Sequence, residues 1–420
     1  MMSGKTVERR IRAALTAALA TSPVVAITGA RTAGKSTLAH EVVDGADGGT
    51  LLDLDNPAVR RLAADDPMAF VRDLPEPIVI DEFQRVPDVL AAIKAELNWD
   101  RRPGRFVLTG SARHQVVPEL ADFLTGRVEL LTLWPFAVAE LMPGAASVVD
   151  RLFDGSALSQ RRTSGTQRSE LVDIVLRGGY PIAVGLAPEP RSRWFANLAA
   201  LVVERIGADV APVRRADVLS RFLRLSAART GQVLNAAELG RDAGLGRDQA
   251  GVYLRLLELV YLVVVLPAWS VNLTSRVTKR PKLHLVDSGL AAHLQGITAE
   301  RLSPVDPGAA SRFGALLETF VVTEVLKQAG WASEIVSAYH YRTADGVEVD
   351  LVLEAADGRV VAIEVEAGSQ VTTSAMRGLT QLRDHLGARF VAGLLLTSGS
   401  QAQRVGDRLS VAPVDLLWTP

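Results

Sequence analysis

An α/β fold built on a parallel sheet follows from three features of the chain. Residues 24–37 read VVAITGARTAGKST, a β-branched run that breaks into a glycine-rich loop and then into a helix-forming stretch. Residues 77–83, PIVIDEF, form a second apolar run ending in two acids, the pattern of a buried parallel strand with carboxylates at its C-terminal edge. Strand-like runs at 50–54, 105–109 and 128–133 alternate with helical stretches such as 87–97, which is the βαβ alternation of a sheet covered by helices.

The first element is a short helix. Val7, Ile11, Leu15 and Leu19 fall on one helical face, so the basic and alanine-rich N-terminus reads as a packing helix and not as a secretory signal. The loop that follows the first strand is Gly29-Ala30-Arg31-Thr32-Ala33-Gly34-Lys35-Ser36, the G-x-x-x-x-G-K-[ST] phosphate loop in a strand-loop-helix setting. Its glycines let successive backbone N–H groups turn inward around phosphates, Lys35 reaches the β and γ oxygens, and Ser36 offers its hydroxyl to Mg²⁺. Thr37 begins the next helix beside the α-phosphate. These residues predict binding of ATP with Mg²⁺. Asp81 is expected to hold the Mg²⁺ through its water shell, and Glu82 to orient and deprotonate the attacking water.

Composition limits the rest of the chemistry. The chain has 420 residues, 48% of them hydrophobic, and a net charge of −1, which suits two or three globular domains and gives no overall basic field for nucleic acid. It has no cysteine, and its six histidines show no metal-binding spacing, so thiolate catalysis and cysteine zinc sites are excluded and any metal is expected to be oxygen-bound. No stretch has the 18 or so uninterrupted apolar residues of a membrane span, and a cytoplasmic protein without membrane contact is expected.

Three regions are expected: 1–150 as the phosphate-loop domain, 165–275 as a helical middle, and 276–420 as a C-terminal α/β domain. The Gly-, Ser- and Arg-rich run at 144–169 reads as a mobile connection between the first two. In the middle, Asn235 with Glu238 marks a capped helix start, Gly244-Leu245-Gly246 a tight turn, and residues 248–259 a second helix before the β-rich YLVVVLPAW. Helix, turn, helix and strand in that order look like a winged helix-turn-helix. Arg247, Gln249 and Arg255 can then face DNA or RNA, although such a module also serves for packing or as a nucleotide lid.

In the C-terminal region, alternation over residues 346–353 puts Val347, Val349, Leu351 and Leu353 on one face and Asp350 on the other. A turn at Ala356-Asp357-Gly358 returns the chain with Glu364 and Glu366 opposite Val361, Ile363 and Val365. In a hairpin Asp350 and Glu364 converge on one metal, with Glu366 beside them and Glu318 added from the helical stretch before them.

An ordered series of motifs then resembles a prokaryotic family of AAA-type ATPases whose C-terminal half is DUF4143, a domain of unknown function with a restriction-nuclease-like portion. The marks are the phosphate loop, IVIDEFQRVPD at 78–88, LTGSAR at 108–113, LTGRVELLTLWPFAVAE at 124–140, GGYP at 178–181, DSGL at 287–290, LLETFVVTEV at 316–325, YRTADGVEVDLVL at 341–353 and AIEVEAG at 362–368. By this resemblance Thr109 or Ser111 senses the γ-phosphate or the attacking water, and Arg127, with Arg113 as the alternative, stabilises charge on the transferred phosphoryl group. The restriction-nuclease pattern of Asp then Glu-x-Lys is met by Asp350 and then Glu364-Val365-Glu366. An acid therefore stands where the resemblance implies a lysine. Arg342 is the best substitute cation in the sequence, and the pocket is expected to hold a divalent metal yet cut nucleic acid poorly or not at all. The leading functional expectation is an ATPase whose hydrolysis rearranges the winged-helix and C-terminal modules. The alternatives are a nucleotide-stabilised module that binds a protein partner, and a nucleotide-gated metal-dependent nuclease.

Overall fold

The structure, a computed structural model, describes residues 7–419 apart from 46–47, 111–119, 121–123, 143, 145, 159–162, 210–215, 273–275, 277–278, 304–305 and 370–371. Two compact units are present among the described residues, one within residues 7–136 with 259–261, the other within 137–258 and 262–419. No helix among the described residues is long and apolar enough to cross a membrane.

The first unit is a five-stranded parallel sheet of β1 (Val24–Gly29), β2 (Thr50–Asp53), β3 (Ile78–Asp81), β4 (Phe106–Gly110) and β5 (Val128–Leu133), in the order β2-β3-β4-β1-β5. Period-2 alternation divides the strand residues between two cores. Val24, Ala26, Ile78, Ile80, Phe106 and Leu108 face one side, where Leu90, Ile93 and Leu97 of the Val89–Trp99 helix cover them. Val25, Ile27, Val79 and Val107 face the other, under Ile11 and Leu15 at the N-terminus and Leu38 of the Lys35–Asp44 helix. The N-terminal segment is thus a packed helix, Arg12–Thr21, with Leu15 and Ala18 buried.

In the second unit the helices Ala216–Ala228, Ala236–Ala243 and Arg247–Leu259 accompany a three-stranded sheet of β6 (Gln232–Val233), β7 (Val263–Leu266) and β8 (Lys282–Leu285), ordered β6-β8-β7. Asn235 Oδ1 accepts the Glu238 N–H at 3.3 Å, and its amide donates back to Glu238 Oε2 at 3.0 Å, so the expected cap is present.

The C-terminal sheet has six strands: β9 (Val336–Arg342), β10 (Glu348–Ala355), β11 (Val360–Glu366), β12 (Phe390–Thr397), β13 (Gln403–Gly406) and β14 (Leu409–Pro413), ordered β13-β14-β12-β11-β10-β9. β10 and β11 form the expected antiparallel hairpin, with Leu351 opposite Ile363 and Leu353 opposite Val361. One expectation fails. Val349 and Val352, three residues apart, share a core with Leu379 and Leu382 of the Thr373–Leu386 helix, because the β9–β10 register shifts between them. Such a bulge re-aims the residues inside it, Asp350 among them.

The run at 144–169 is not a free connection either. Val148–Phe153 is a helix with Val148, Val149, Leu152 and Phe153 buried, capped by Ser147, and Gln328 Oε1 accepts the Val148 N–H at 2.8 Å. Further on, the Ser164 N–H donates to the Ser400 carbonyl at 2.7 Å. A short apolar stripe hidden among polar residues outweighed the loop-like composition.

The GGYP and DSGL motifs explain each other. The buried Asp287 carboxylate accepts the Gly179 N–H at 2.6 Å and the Leu290 N–H at 2.9 Å. Gly178 has φ +68°, and a Cβ there would lie 2.2 Å from Asp287 Oδ1. Asp287→Ala should therefore lower unfolding stability by roughly 2–4 kcal/mol, since it strands two buried backbone donors, and Asp287→Asn by less. Urea midpoints check this, and an unchanged midpoint in the alanine variant would remove the clamp.

Candidate functional site

The phosphate loop leaves the C-terminal end of β1 and enters the Lys35–Asp44 helix. Gly29 has φ +154°, and a Cβ there would lie 2.1 Å from the Leu133 carbonyl oxygen of β5. Thr32 and Gly34 both have positive φ, which turns the backbone between strand and helix. Lys35 is 5% exposed and donates to the carbonyls of Gly29 at 3.0 Å and Ala30 at 2.9 Å. Burial lowers its pKa to about 8, opposed by the charges of Glu82 and Asp81. Ser36 and Thr37 are exposed in the first turn of the helix.

The acids stand on the neighbouring strand ends. β3 and β4 pair with Ile80 opposite Leu108, so Asp81 and Thr109 come side by side. The buried Thr109 hydroxyl donates to Asp81 Oδ1 and accepts the Glu82 N–H at 3.2 Å. One hydroxyl thus ties both acids to β4. Glu82 has φ +55°, and its Oε2 accepts the Gln84 side-chain amide at 2.5 Å. A non-glycine residue in the left-handed region is strained, as reactive residues often are.

The structure brings Gly29, Ala30, Arg31, Thr32, Ala33, Gly34, Lys35, Ser36, Asp81, Glu82 and Thr109 to one edge of the sheet. It does not bring Arg127 there. Arg127 precedes the end of β5 where Val128 pairs with Val24, whereas the loop leaves the end where Leu133 pairs with Gly29. The two ends lie about 17 Å apart along the strand, and Arg127 Nη1 donates instead to the Lys94 carbonyl at 3.4 Å. Ser111 and Arg113 lie outside the described residues.

Two residues at this site have no motif to announce them. Arg9 is 6% exposed and donates to the carbonyls of Ala33 at 2.7 Å and Trp134 at 2.8 Å, bracing the loop. Tyr261, at φ +59°, donates from its hydroxyl to Thr28 Oγ1 at 2.6 Å and meets Trp134 edge-on at 5.6 Å between ring centroids. Thr28 immediately precedes the loop.

In the second unit two of the predicted acids, Glu318 and Asp350, together with the unpredicted Glu348, gather around a cation that sequence reasoning missed. Lys282 of β8 is 2% exposed, and its Nζ lies 2.8 Å from Glu318 Oε1, 2.7 Å from Glu348 Oε1 and 2.8 Å from Asp350 Oδ1. The Asp350 N–H donates to Glu364 Oε2 at 3.2 Å, and Asp350 Oδ2 accepts the Val365 N–H at 3.0 Å. Burial alone would lower the Lys282 pKa, but Asp350, Glu318 and Glu348 outweigh it and hold the ammonium well above the ordinary lysine range. The acids outnumber that cation. Burial and then the Asp350 charge push Glu318 up to about 8, and the same two causes raise Glu364 well above the carboxylate range.

The cation at the centre is therefore Lys282, and Arg342 stands at the margin, 3.4 Å from Glu348 Oε2. Glu366 ends β11, half-buried, outside this ion-pair set. Among the described residues no three Asp, Glu or His side chains are disposed to hold a metal ion. Where the sequence reading expected a metal, Glu318 and Asp350 meet at the Lys282 ammonium, and Glu364 is joined to them only through the Asp350 N–H.

Comparison with known proteins finds three matched regions in the chain. An AAA domain matches residues 21–142, a domain of unknown function, DUF8612, matches 168–301, and the domain of unknown function DUF4143 matches 313–417. Uncharacterised proteins of Mycobacterium tuberculosis and Mycobacterium bovis are each 30% identical over 416 residues, covering 98% of this chain and 85% of the relative. An uncharacterised protein of Haemophilus influenzae is 23% identical over 324 residues, covering 75% of this chain and 72% of its own. Among solved structures, a Walker-type ATPase of Pyrococcus abyssi aligns with a TM-score of 0.41 at 16% identity, over 69% of this chain and 96% of its own. A variant of Thermotoga maritima RuvB aligns with a TM-score of 0.30 at 18% identity, over 62% of this chain and 89% of its own. With an AAA domain ahead of a DUF4143 domain, and relatives matched along nearly its whole length, the chain belongs to the prokaryotic family of AAA-type ATPases that carry a C-terminal DUF4143 domain.

Proposed function

We propose that the chain is a Mg²⁺-dependent ATPase whose nucleotide state is passed to its middle and C-terminal regions. The observation that carries this reading is the Thr109 hydroxyl joining Asp81 and Glu82 at the sheet edge where Lys35 and the loop lie. The donor set suits a hard cation, since Ser36 and Asp81 offer only oxygen. Those two residues would hold Mg²⁺, which supplies charge neutralisation on the phosphates when bound. Lys35 exchanges its two carbonyl partners for phosphate oxygens, and Glu82 takes a proton from the attacking water. Thr109 positions both acids. Arg127 stands at the far edge of its own sheet and is left out of this set.

Transmission is supported by Tyr261. Residues 259–261 belong with the nucleotide unit while the chain on either side belongs to the other unit, so this segment is a covalent link between the two. The order of helix, β6, two helices, β7 and β8, with β8 between β6 and β7, supports the winged-helix reading. Arg247 and Arg255 are exposed eight residues apart on one helical face, which suits contact with nucleic-acid phosphates. Gln249 is less free for bases, since its Oε1 accepts the Gly246 N–H at 3.3 Å.

ATP turnover measured alone and with single-stranded DNA, duplex DNA or RNA tests the activity. Lys35→Ala should weaken ATP binding by roughly tenfold to a hundredfold, the worth of one or two charged hydrogen bonds; unchanged affinity by calorimetry would end the assignment. Glu82→Gln should keep ATP but lose roughly a hundredfold or more of turnover, because the amide cannot take a proton. Equal turnover would remove Glu82 from that role.

Binding should also carry a proton signature. The Lys35 pKa of about 8 in the free protein rises when phosphate surrounds the ammonium, so near pH 8 ATP binding takes up protons, and affinity falls as pH rises further. Calorimetry in buffers of different ionisation enthalpy reads this uptake, and its absence at pH 8 would contradict the lysine contact. For nucleic acid, Arg247→Ala with Arg255→Ala should shrink the slope of log affinity against log salt by roughly 1–2. An unchanged slope would remove this helix from the interface.

A further inference from the structure

We propose that Lys282 Nζ occupies a divalent-metal position in the C-terminal domain, so that the native chain binds no metal there and removal of the lysine side chain opens a site for a borderline ion such as Mn²⁺, Co²⁺ or Zn²⁺. The inference goes beyond the ATPase reading and does not depend on it. Three carboxylate oxygens, one each from Glu318, Glu348 and Asp350, surround Nζ at 2.7–2.8 Å. They come from a helix and a strand that meet only in the tertiary fold, and the space they enclose holds one small cation.

A second observation points to a metal and not only to an ion pair. His284, two residues beyond Lys282 on β8, is fully buried, and its Nε2 has no hydrogen-bond partner. That nitrogen lies 3.9 Å from Glu318 Oε1, the same oxygen that contacts Nζ. Residues two apart on a strand share a face, so imidazole and ammonium are directed to the same place. Thr319 Oγ1, 3.2 Å from His284 Nδ1, can accept the Nδ1 proton. In that tautomer Nε2 presents a lone pair toward the carboxylates.

The chemistry then follows from size and charge. Three oxygens and one imidazole nitrogen make a mixed set that suits Mn²⁺, Co²⁺ or Zn²⁺ better than Mg²⁺. Metal–ligand distances are near 2.0–2.2 Å, so each oxygen must close by roughly 0.7 Å. Two positive charges also satisfy the surplus of acids better than one. In the native chain a covalently tethered ammonium fills the position, which leaves no place for the metal that phosphodiester cleavage by a restriction-nuclease-like core would use.

The test uses the full chain without nucleotide, native and Lys282→Ala, titrated with CoCl₂ and followed by visible absorption, and with MnCl₂ followed by calorimetry. Lys282→Ala should take up one additional equivalent of metal roughly tenfold or more tighter than any site in the native chain, with cobalt bands of a protein-ligated ion and a raised melting temperature. His284→Ala added to Lys282→Ala should abolish those bands. Equal uptake by the native chain would overturn the proposal, and so would a folded Lys282→Ala that gains no metal. If Lys282→Ala does not fold alone, it is refolded with and without Mn²⁺. Recovery only with metal supports the proposal; failure with metal, together with no uptake by the less charged Lys282→Ala, Glu348→Gln variant, overturns it.

Discussion

Strand β1 has neither an edge nor a solvent face, and the nucleotide site depends on that confinement. Its four apolar residues are fully buried between two cores, and it is hydrogen-bonded to β4 on one side and β5 on the other. A strand held so completely can release its chain only at its end. There Gly29 must pass within contact of the Leu133 carbonyl, which leaves no room for a side chain. The loop starts from a rigid origin, and the β3–β4 register, continued past Ile80 and Leu108, sets Asp81 and Thr109 side by side on the same sheet edge. Pre-positioned groups are what phosphoryl transfer demands, since its catalysis is mainly placement and electrostatics.

The C-terminal domain solves a different problem. Several buried carboxylates close together are unfavourable because each raises the cost of ionising the others. Here a buried lysine and retained protons share the burden, and the bulge in β10 lets Asp350 leave the Val349–Val352 core side and face that lysine. Removing one partner of such a buried set costs more than the pair contributes, since the remaining charge is stranded. This makes the arrangement a fixed part of the domain core.

Several motifs of the family do structural work. The glycines of GGYP and the aspartate of DSGL are one clamp made from two distant segments, in which the absence of a Cβ at Gly178 admits the carboxylate that caps the next helix. Gln328 plays a similar part, receiving the Val148 N–H and donating to the Leu417 carbonyl at 2.7 Å. A short buried helix in a stretch of loop-like composition is held in place by that amide.

By itself the sequence determined what is local. The strand-loop-helix around Gly29–Ser36, the acids closing β3, the β10–β11 hairpin and the Asn235 cap are each written within a few residues, because hydrophobic period, turn chemistry and capping act over that range. Tertiary structure decided everything that joins distant segments. Arg9 reaches the loop from the N-terminus, and Tyr261 reaches Thr28 across 233 residues of chain. Lys282 meets Asp350 across 68 residues, while Arg127, close to the right motif, is carried to the wrong end of its strand for its own loop. A charged or aromatic side chain has no periodic signature of its destination. Its role depends on which elements pack together, and that is fixed by burial and register summed over the whole fold.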